Sequence, residues 1–381
     1  MRVLEEFPEE GPLSRFLPAF FRANRQMGSS DRRNTSRLVY NYFRLGKALP
    51  SLPVEQRLFI AEFLCSTGEN PFLEYFNPEL NAKVDLSSEE KIGFLQQLYS
   101  EFKQTDIFPF CRHLSSGVEE KAFLNSFLIQ PNLFIRVHPG HEEKVRNKLL
   151  KAGIAITELT RYTWELPNGT KLDQLFPPEE NTGFEVQDWS SQQTGTFFHP
   201  GSHEYWWDCC AASGGKSLLL FHQEPTIKLL VSDIRDNILS NLDHRFRNAG
   251  LVRYQKKLLD LTKDPEPFLH GYEFDGIILD APCTGSGTWG RTPELISQFR
   301  ESRISSFQRL QRSIASQVVK YLKEGKPLIY ITCSVFKEEN EENIGFLQDN
   351  FSLQCEDQQI IKGYNKKADT MFAARLIKQK S

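Results

Sequence analysis

The chain has 381 residues, of which 39% are hydrophobic and 25% charged, and its formal net charge is −3. This length predicts two or three domains, and the composition indicates a soluble globular protein, because no apolar run approaches the 18 residues of a membrane-spanning helix. The seven cysteines show no CxxC spacing and no pattern shared with the eight histidines, which argues against a metal site and favours reduced thiols. No apolar segment follows the N-terminal MRVLEEFPEE, so we expect a cytoplasmic protein without a secretory signal.

The first 125 residues show the periodicity of helices. Apolar residues recur every three or four positions in LSRFLPAFFRANRQ, NTSRLVYNYFRLGKAL, VEQRLFIAEFLCS and EEKIGFLQQLYSEF. Ser30 and Asp31 before RRNTSRLVYNYFRL, and Gly46 after it, are typical of a helix start and a helix end. Between residues 11 and 60, nine Lys or Arg residues outnumber two acidic ones. This local excess favours a polyanionic partner, although a solvated basic helix face also explains it.

The middle of the chain, to about residue 188, changes to short alternating elements. NLFIRV and RYTWELP are predicted strands, HEEKVRNKLLKAG is a helix closed by Gly153, and FPPEENTG is a loop. This pattern predicts a small α/β connector module.

From about residue 194 the chain alternates between apolar strands and helices. The strands IKLLVSD, FDGIILD and PLIYITC are separated by the helices DNILSNLDHRFRNAG and ISSFQRLQRSIASQVVKYLKEG. Continuous apolar strands alternating with helices predict a parallel sheet that is covered on both faces. The predicted domains are therefore an all-α domain at 1–125, the connector at 126–193 and an α/β domain at 194–381.

A turn rich in small residues, YWWDCCAASGGKSLLL, begins this last domain. Its backbone N–H groups can approach a ligand where a helix starts near Gly214. The GGKS tail is not a Walker A motif, because Cys210 occupies the position that requires glycine. Asp233 ends the next strand, where a carboxylate can accept hydrogen bonds from both hydroxyls of a ribose, although it could equally cap the following helix. Dinucleotides and S-adenosylmethionine both fit this pattern.

Two cysteines and a carboxylate stand at the ends of predicted strands. Asp280 and Cys283 end FDGIILDAPC, and Cys333 ends PLIYITC. If these strands are neighbours about 4.8 Å apart, the three side chains share one edge of the sheet. A thiolate can add to carbon 6 of a pyrimidine and so activate carbon 5, while an acid at N3 stabilises the developing charge. Hydride transfer needs no such thiol pair, although a single Cys is more often a small buried hydrophobe.

Several motifs together resemble the RsmB/Nop/Sun RNA (cytosine-C5)-methyltransferases. They are DCCAASGGK, DAPCTGSG, R-x-P-E and ITCS-V-x-x-EEN-E, preceded by VQDWSSQ and followed by MFAARLIK. The resemblance extends from about Leu133 to the C-terminus. It implies a Rossmann-like class I methyltransferase domain with a mostly parallel seven-stranded sheet, and the formation of 5-methylcytosine in RNA with S-adenosylmethionine as cofactor.

The resemblance also implies roles for individual residues. Cys333 would attack carbon 6 of the base, Cys283 would assist release of the product, and Asp280 would contact N3 near the methionine end of the cofactor. Lys216 would face the active site, and the EEN run would be scaffolding that starts the next helix. The cofactor would be bound by Cys210, Ala211, Ala212, Ser213, Gly214, Gly215, Lys216, Asp280, Asp233 at the ribose and Asp260 near the adenine.

This sequence departs from the family pattern at three places. Ser213 replaces a proline of the cofactor loop, Trp206-Trp207 replace smaller aliphatic residues, and Glu294 stands where the family usually has Asp. Ser213 still permits a tight turn, so we expect cofactor binding with an altered affinity.

The N-terminal helices resemble, less specifically, a NusB-like RNA-binding domain, on the stretch GSSDRRNTSRLVYNYFRL. This likeness favours ribosomal RNA of the small subunit over transfer RNA as the substrate, bound by a monomer. Two other functions stay open, a noncatalytic RNA-binding assembly factor and a dinucleotide oxidoreductase. The candidate RNA-binding residues are Arg32, Arg33, Arg37 and Arg291.

Overall fold

The computed structural model describes residues 1–8, 10–177 and 182–380. Two compact units are present. A helical unit comprises Met1–Leu114, Glu119–Gln130 and Thr288–Glu301, and an α/β unit comprises Ser115–Val118, Pro131–Gly287 and Ser302–Ser381. Within the described ranges, none of the helices combines the length and apolarity that crossing a membrane requires.

The helical unit confirms the four predicted helices. The helix predicted to start after Ser30 and Asp31 begins at Ser29, so both residues lie in its first turn, where the Asp31 carboxylate accepts the Gly28 N–H at 2.8 Å. The helices of this part of the chain are α1 (Arg2–Glu6), α2 (Leu13–Ala23), α3 (Ser29–Arg44), α4 (Val54–Cys65), α5 (Pro71–Phe76), α6 (Pro78–Asn81), α7 (Ser88–Leu98) and α8 (Glu120–Ser126).

The connector forms an antiparallel sheet of four strands in the order β2-β3-β1-β4. Both strands and the helix predicted here are confirmed, and Trp164, Val145 and Leu149 are buried in their shared core. The predicted loop FPPEENTG lies largely outside the described residues. The elements are β1 (Leu133–Val137), α9 (Glu142–Lys151), β2 (Thr157–Glu158), β3 (Thr163–Leu166), α10 (Leu172–Leu175), β4 (Phe184–Val186) and α11 (Trp189–Gln193).

The second sheet has seven strands in the order β10-β11-β9-β8-β5-β6-β7. Strands β5 to β9 pair in parallel, while β11 is antiparallel to both β9 and β10. The predicted fold class is therefore confirmed, and MFAARLIK forms the last strand. The strands are β5 (Tyr205–Asp208), β6 (Lys228–Asp233), β7 (Gln255–Leu258), β8 (Gly276–Asp280), β9 (Pro327–Thr332), β10 (Leu353–Ile361) and β11 (Met371–Lys378). The helices that follow α11 are α12 (Gly215–Gln223), α13 (Asp236–Asn248), α14 (Glu266–Leu269), α15 (Glu294–Gln298), α16 (Ser302–Val318) and α17 (Glu341–Asn350).

The two tryptophans of β5 are accommodated on opposite faces of this sheet. Trp206 packs with residues of α12 and α13, and Trp207 with residues of α14 and α16. Trp206 is paired with Gly276 of β8, where a Cβ atom would lie 2.5 Å from the indole ring. Glycine on the neighbouring strand thus makes room for the larger residue in this sequence.

Each unit includes a short segment that lies, in sequence, within the range of the other unit. Segment Thr288–Glu301, which carries α15, belongs to the helical unit, where Trp289 lies 5.7 Å from Phe108 between ring centroids. There the Glu294 carboxylate also accepts the Leu13 N–H at 3.0 Å. Segment Ser115–Val118 belongs to the α/β unit, where the Ser115 N–H donates to the Val335 carbonyl at 2.8 Å. The division into three domains with continuous sequence ranges stays a prediction, because the two units are defined by contacts in space.

Candidate active site

The two cysteines lie together at the carboxyl ends of neighbouring strands. Strands β8 and β9 pair in parallel with Asp280 opposite Ile331, which confirms their predicted adjacency. Beyond these ends the sulfur atoms of Cys283 and Cys333 are 3.1 Å apart. Both residues are half-buried, so a ligand at this edge of the sheet can reach them.

Glu339 connects the loops that carry the two thiols. One carboxylate oxygen accepts the Thr284 N–H at 2.9 Å and the Gln311 side-chain amide at 2.8 Å, and the other accepts the Ser334 hydroxyl at 2.6 Å. Thr284 follows Cys283, and Ser334 follows Cys333, so one buried side chain fixes both loops. The EEN run, predicted to start the next helix, forms the turn that leads into α17, with Asn340 as its N-cap residue.

The environment of Cys283 favours its protonated form. The hydrogen bond with Cys333, burial and the nearby Glu339 raise the pKa of the Cys283 thiol well above its usual range. Cys283 therefore stays a thiol at neutral pH and can donate a hydrogen bond to the Cys333 sulfur.

Lys216 lies in the first turn of α12 and contacts Asp280. Its ammonium group donates to the Asp280 carboxylate at 3.0 Å and to the Ser191 hydroxyl at 2.9 Å. Gly214 caps this helix with φ of +84°, and a Cβ atom there would lie 2.3 Å from the Phe246 ring. Only glycine fits this turn, which directs Lys216 towards the strand ends.

The predicted cofactor loop lies between β5 and α12. The Ala212 N–H donates to the Asp233 carboxylate at 3.0 Å, which joins the loop to the end of β6. The same carboxylate also accepts the Arg235 N–H and guanidinium at 2.9 to 3.1 Å. Because these bonds use both oxygens, a ribose would have to displace the half-exposed Arg235 side chain.

Ser213, the departure from the family proline, has a partner of its own. The Arg245 guanidinium donates to the Ser213 carbonyl at 2.9 Å and also to its hydroxyl. Arg245 is in turn paired with Glu185 of β4 at 2.8 Å. The connector sheet thus holds the cofactor loop through one arginine.

Asp260 lies in the turn after β7. Its carboxylate accepts the Thr262 hydroxyl at 2.6 Å and pairs with Lys263 at 3.2 Å. The Leu259 N–H donates to the Asp233 carbonyl at 3.1 Å, so Asp260 lies beside the end of β6. Its predicted place near an adenine stays a prediction.

The four candidate RNA-binding arginines belong to the helical unit. Arg33 is exposed, and the Arg32 guanidinium donates to the Met27 carbonyl at 3.0 Å. Arg37 forms an ion pair with the fully buried Glu62, which indicates a structural contribution. Arg291 lies in the exchanged segment that precedes α15.

Sequence reasoning did not identify the residues that support this site. Ser191 and Gln187 lie within VQDWSSQ, and Glu339 lies within the EEN run. The sequence therefore indicates both motifs but not what these three side chains contact. The sequence signal was the place of these polar residues inside the two motifs.

Residues 195–380 match the family model described as 16S rRNA methyltransferase RsmB/F. Two similar curated proteins are each named ribosomal RNA small subunit methyltransferase B. The one from Proteus mirabilis (strain HI4320) is 28% identical, and the one from Escherichia coli (strain SMS-3-5 / SECEC) is 30% identical. Each alignment covers 66% of this chain and 60% of the relative, so the chain spans less than two thirds of their length.

Solved structures have the same fold. The protein PH0851 superposes with a TM-score of 0.70 at 21% identity, over 94% of this chain and 93% of that one. NSun6 from Pyrococcus horikoshii, solved with SFG, superposes with a TM-score of 0.60 at 18% identity, over 68% of this chain and 94% of that one.

Proposed function

We propose that this chain, whose residues 195–380 form a methyltransferase domain of the RsmB/F family, methylates carbon 5 of a cytosine in RNA. The observation that carries the proposal is the 3.1 Å separation of Cys283 and Cys333 beside the Lys216–Asp280 pair. A thiol pair next to a carboxylate has a use in activating a pyrimidine. It has none in hydride transfer, and a noncatalytic assembly factor would not need it.

The residues of the cofactor loop fit S-adenosylmethionine. The Asp233 carboxylate can accept hydrogen bonds from a ribose diol, and the first turn of α12 offers N–H groups to a carboxylate. When bound, S-adenosylmethionine supplies the methyl group for carbon 5.

The chain's own residues prepare the base and release it. The Cys333 thiolate forms a bond to carbon 6, and the proton held between Asp280 and the Lys216 ammonium is donated to N3, which neutralises the negative charge that develops there. After methylation a water molecule takes the proton of carbon 5, its electron pair forms the ring double bond, the bond between Cys333 and carbon 6 breaks, and N3 returns its proton to Asp280. Cys283 assists this elimination by donating its proton to the departing Cys333 sulfur, 3.1 Å away.

We assign the substrate to ribosomal RNA of the small subunit, bound in the cytoplasm by a monomer. The names of the relatives and the basic segment around α3 support this assignment. Transfer RNA is the alternative substrate.

Bisulfite sequencing of total RNA tests the proposal. A strain that lacks the gene should lose 5-methylcytosine at one position of small-subunit rRNA. The wild-type gene should restore it, and a Cys333→Ala variant should not. Loss in a transfer RNA instead would change the substrate, and no loss in any RNA would contradict the activity.

A further inference from the structure

Lys216 has a second hydrogen-bond partner besides Asp280, and the proposed reaction does not require this partner. One side of its ammonium contacts Asp280, and another donates to the Ser191 hydroxyl, which belongs to α11 after the connector sheet. Lys216 itself is 7% exposed, so water competes little for these bonds. A lysine ammonium on four methylene groups has many rotamers, and a second fixed partner selects one of them.

Ser191 is fixed in turn by two buried residues. The Gln187 side-chain amide N–H donates to its hydroxyl at 3.2 Å, and the side-chain oxygen Oε1 of Gln187 accepts the Arg136 guanidinium at 2.7 Å. Arg136 lies on β1, in the middle of the connector sheet, and is 4% exposed. The chain of contacts therefore runs from the centre of one sheet to the strand ends of the other.

Arg136 also reaches the far end of the helix that carries Lys216. Its guanidinium contacts Nδ1 of His222, in the last turn of α12. Burial and the neighbouring Arg136 lower the pKa of His222 to about 3, so the ring is neutral and accepts this bond. The connector thus holds α12 at both ends, through Ser191 at the first turn and Arg136 at the last.

We propose that Ser191, oriented by Gln187 and Arg136, is a positioning residue that fixes the Lys216 ammonium against Asp280. The catalytic consequence rests on the proposed function, whereas the position of Lys216 does not. With Ser191 absent, Lys216 would sample other rotamers, and Asp280 would lose its fixed partner at the base. The rate of methyl transfer should then fall while cofactor binding stays intact.

Single-turnover methylation of RNA tests this with three variants. Ser191→Ala should lower the rate about 10- to 100-fold, the range expected for a misplaced catalytic group, with the KM for S-adenosylmethionine within about twofold. Ser191→Thr retains the hydroxyl and should recover most of the rate. Thr196→Val removes an exposed hydroxyl that bonds only within its own turn, and should behave as wild type.

A double variant distinguishes positioning from a loss of structure. In a Lys216→Met background, Ser191→Ala should cause no further loss of rate, because its target is gone. Additive losses in the double variant would overturn the proposal, and so would a wild-type rate in Ser191→Ala. It would also be overturned if Ser191→Thr failed to recover the rate and the KM for the cofactor rose.

A readout without RNA separates this proposal from the proposed function. Acetic anhydride should acetylate Lys216 faster in Ser191→Ala than in wild type, as measured by mass spectrometry at equal melting temperature. If wild-type protein methylates no RNA, the proposed function fails, and the acetylation rates alone decide the role of Ser191. Equal acetylation rates would overturn it.

Discussion

The cofactor side and the thiol side lie at the same edge of one sheet but are held in different ways. On the cofactor side, at the ends of β5 and β6, Asp233 is paired with Arg235, whose side chain is 56% exposed. On the thiol side, at the ends of β8 and β9, Glu339 is fully buried and accepts bonds from uncharged donors. An exposed ion pair can open for a ligand that enters at each turnover, whereas a buried network keeps two sulfur atoms at one distance.

The largest effect should come from the thiol side. Cys333→Ala removes the group that forms the covalent bond, so methyl transfer should fall to background and no protein–RNA adduct should form. Cys283→Ala still permits attack but slows elimination, so an adduct should accumulate and migrate slowly on denaturing gels with RNA and S-adenosylmethionine. The double variant should show none. An adduct that survives Cys333→Ala and vanishes in Cys283→Ala would reverse the two roles.

Glu339 tests whether the thiol side depends on its buried network. Glu339→Ala removes the acceptor of the Thr284 N–H and one of the two acceptors of the Gln311 amide, the other being the Pro282 carbonyl, which should cost about 2 to 5 kcal/mol of unfolding free energy. Glu339→Gln can keep an oxygen towards these two donors and turn its amide towards the hydroxyls, so the loss should stay under about 1 kcal/mol. Urea denaturation measures both variants. Equal losses would show that the charge matters rather than the hydrogen bonds.

Asp208, at the end of β5, should make stability depend on pH. Burial raises the pKa of Asp208 to about 7, so between about pH 4 and 7 the folded state holds this proton more tightly than the unfolded chain. Raising the pH through this window therefore lowers stability, by about 2 to 3 kcal/mol from pH 5 to 8. Asp208→Asn keeps an acceptor for Ser217 and should remove this slope from denaturation curves. An unchanged slope would contradict the assignment.

Asp233 tests the cofactor side. Loss of its charge-assisted hydrogen bonds, worth about 1.5 to 3 kcal/mol, should weaken S-adenosylmethionine about 10- to 100-fold in Asp233→Ala. Asp236→Ala removes an exposed carboxylate three residues further along and serves as the control. Titration calorimetry compares the two. Wild-type affinity in folded Asp233→Ala would rule out its contact with the ribose.

The smallest effect should lie outside both sides, on α3. Replacing Arg32 and Arg33 by Ala should lower RNA affinity and reduce the salt dependence of log K by about one to two. The corresponding Lys variants keep the charge and should keep the salt dependence. Arg37 is left in place because it pairs with buried Glu62. Filter binding across salt concentrations gives the slope, and an unchanged slope would contradict a phosphate contact.

The sequence predicted those parts of the site that depend on strand ends and motif order. Asp280, Cys283 and Cys333 could be placed together because parallel strands bring their carboxyl ends to one edge. The contacts of Ser191, Glu339 and Arg136 could not be predicted, because each of these side chains joins segments that are far apart in the sequence. Arg37 shows the opposite limit: the basic pattern predicted a contact with RNA, whereas its guanidinium is paired with the buried Glu62.

The exchanged segments also constrain how the protein can be made. The helical unit includes Thr288–Glu301, so it cannot be complete when the ribosome has synthesised only its first 130 residues. Until then Phe108 and Phe110 lack their ring contacts with Trp289 and Phe299. Complete folding of the N-terminal helices before the rest of the chain, the common order in multidomain chains, therefore leaves these contacts unmade. Synthesis of much of the α/β unit has to precede the final packing of the helices that come before it.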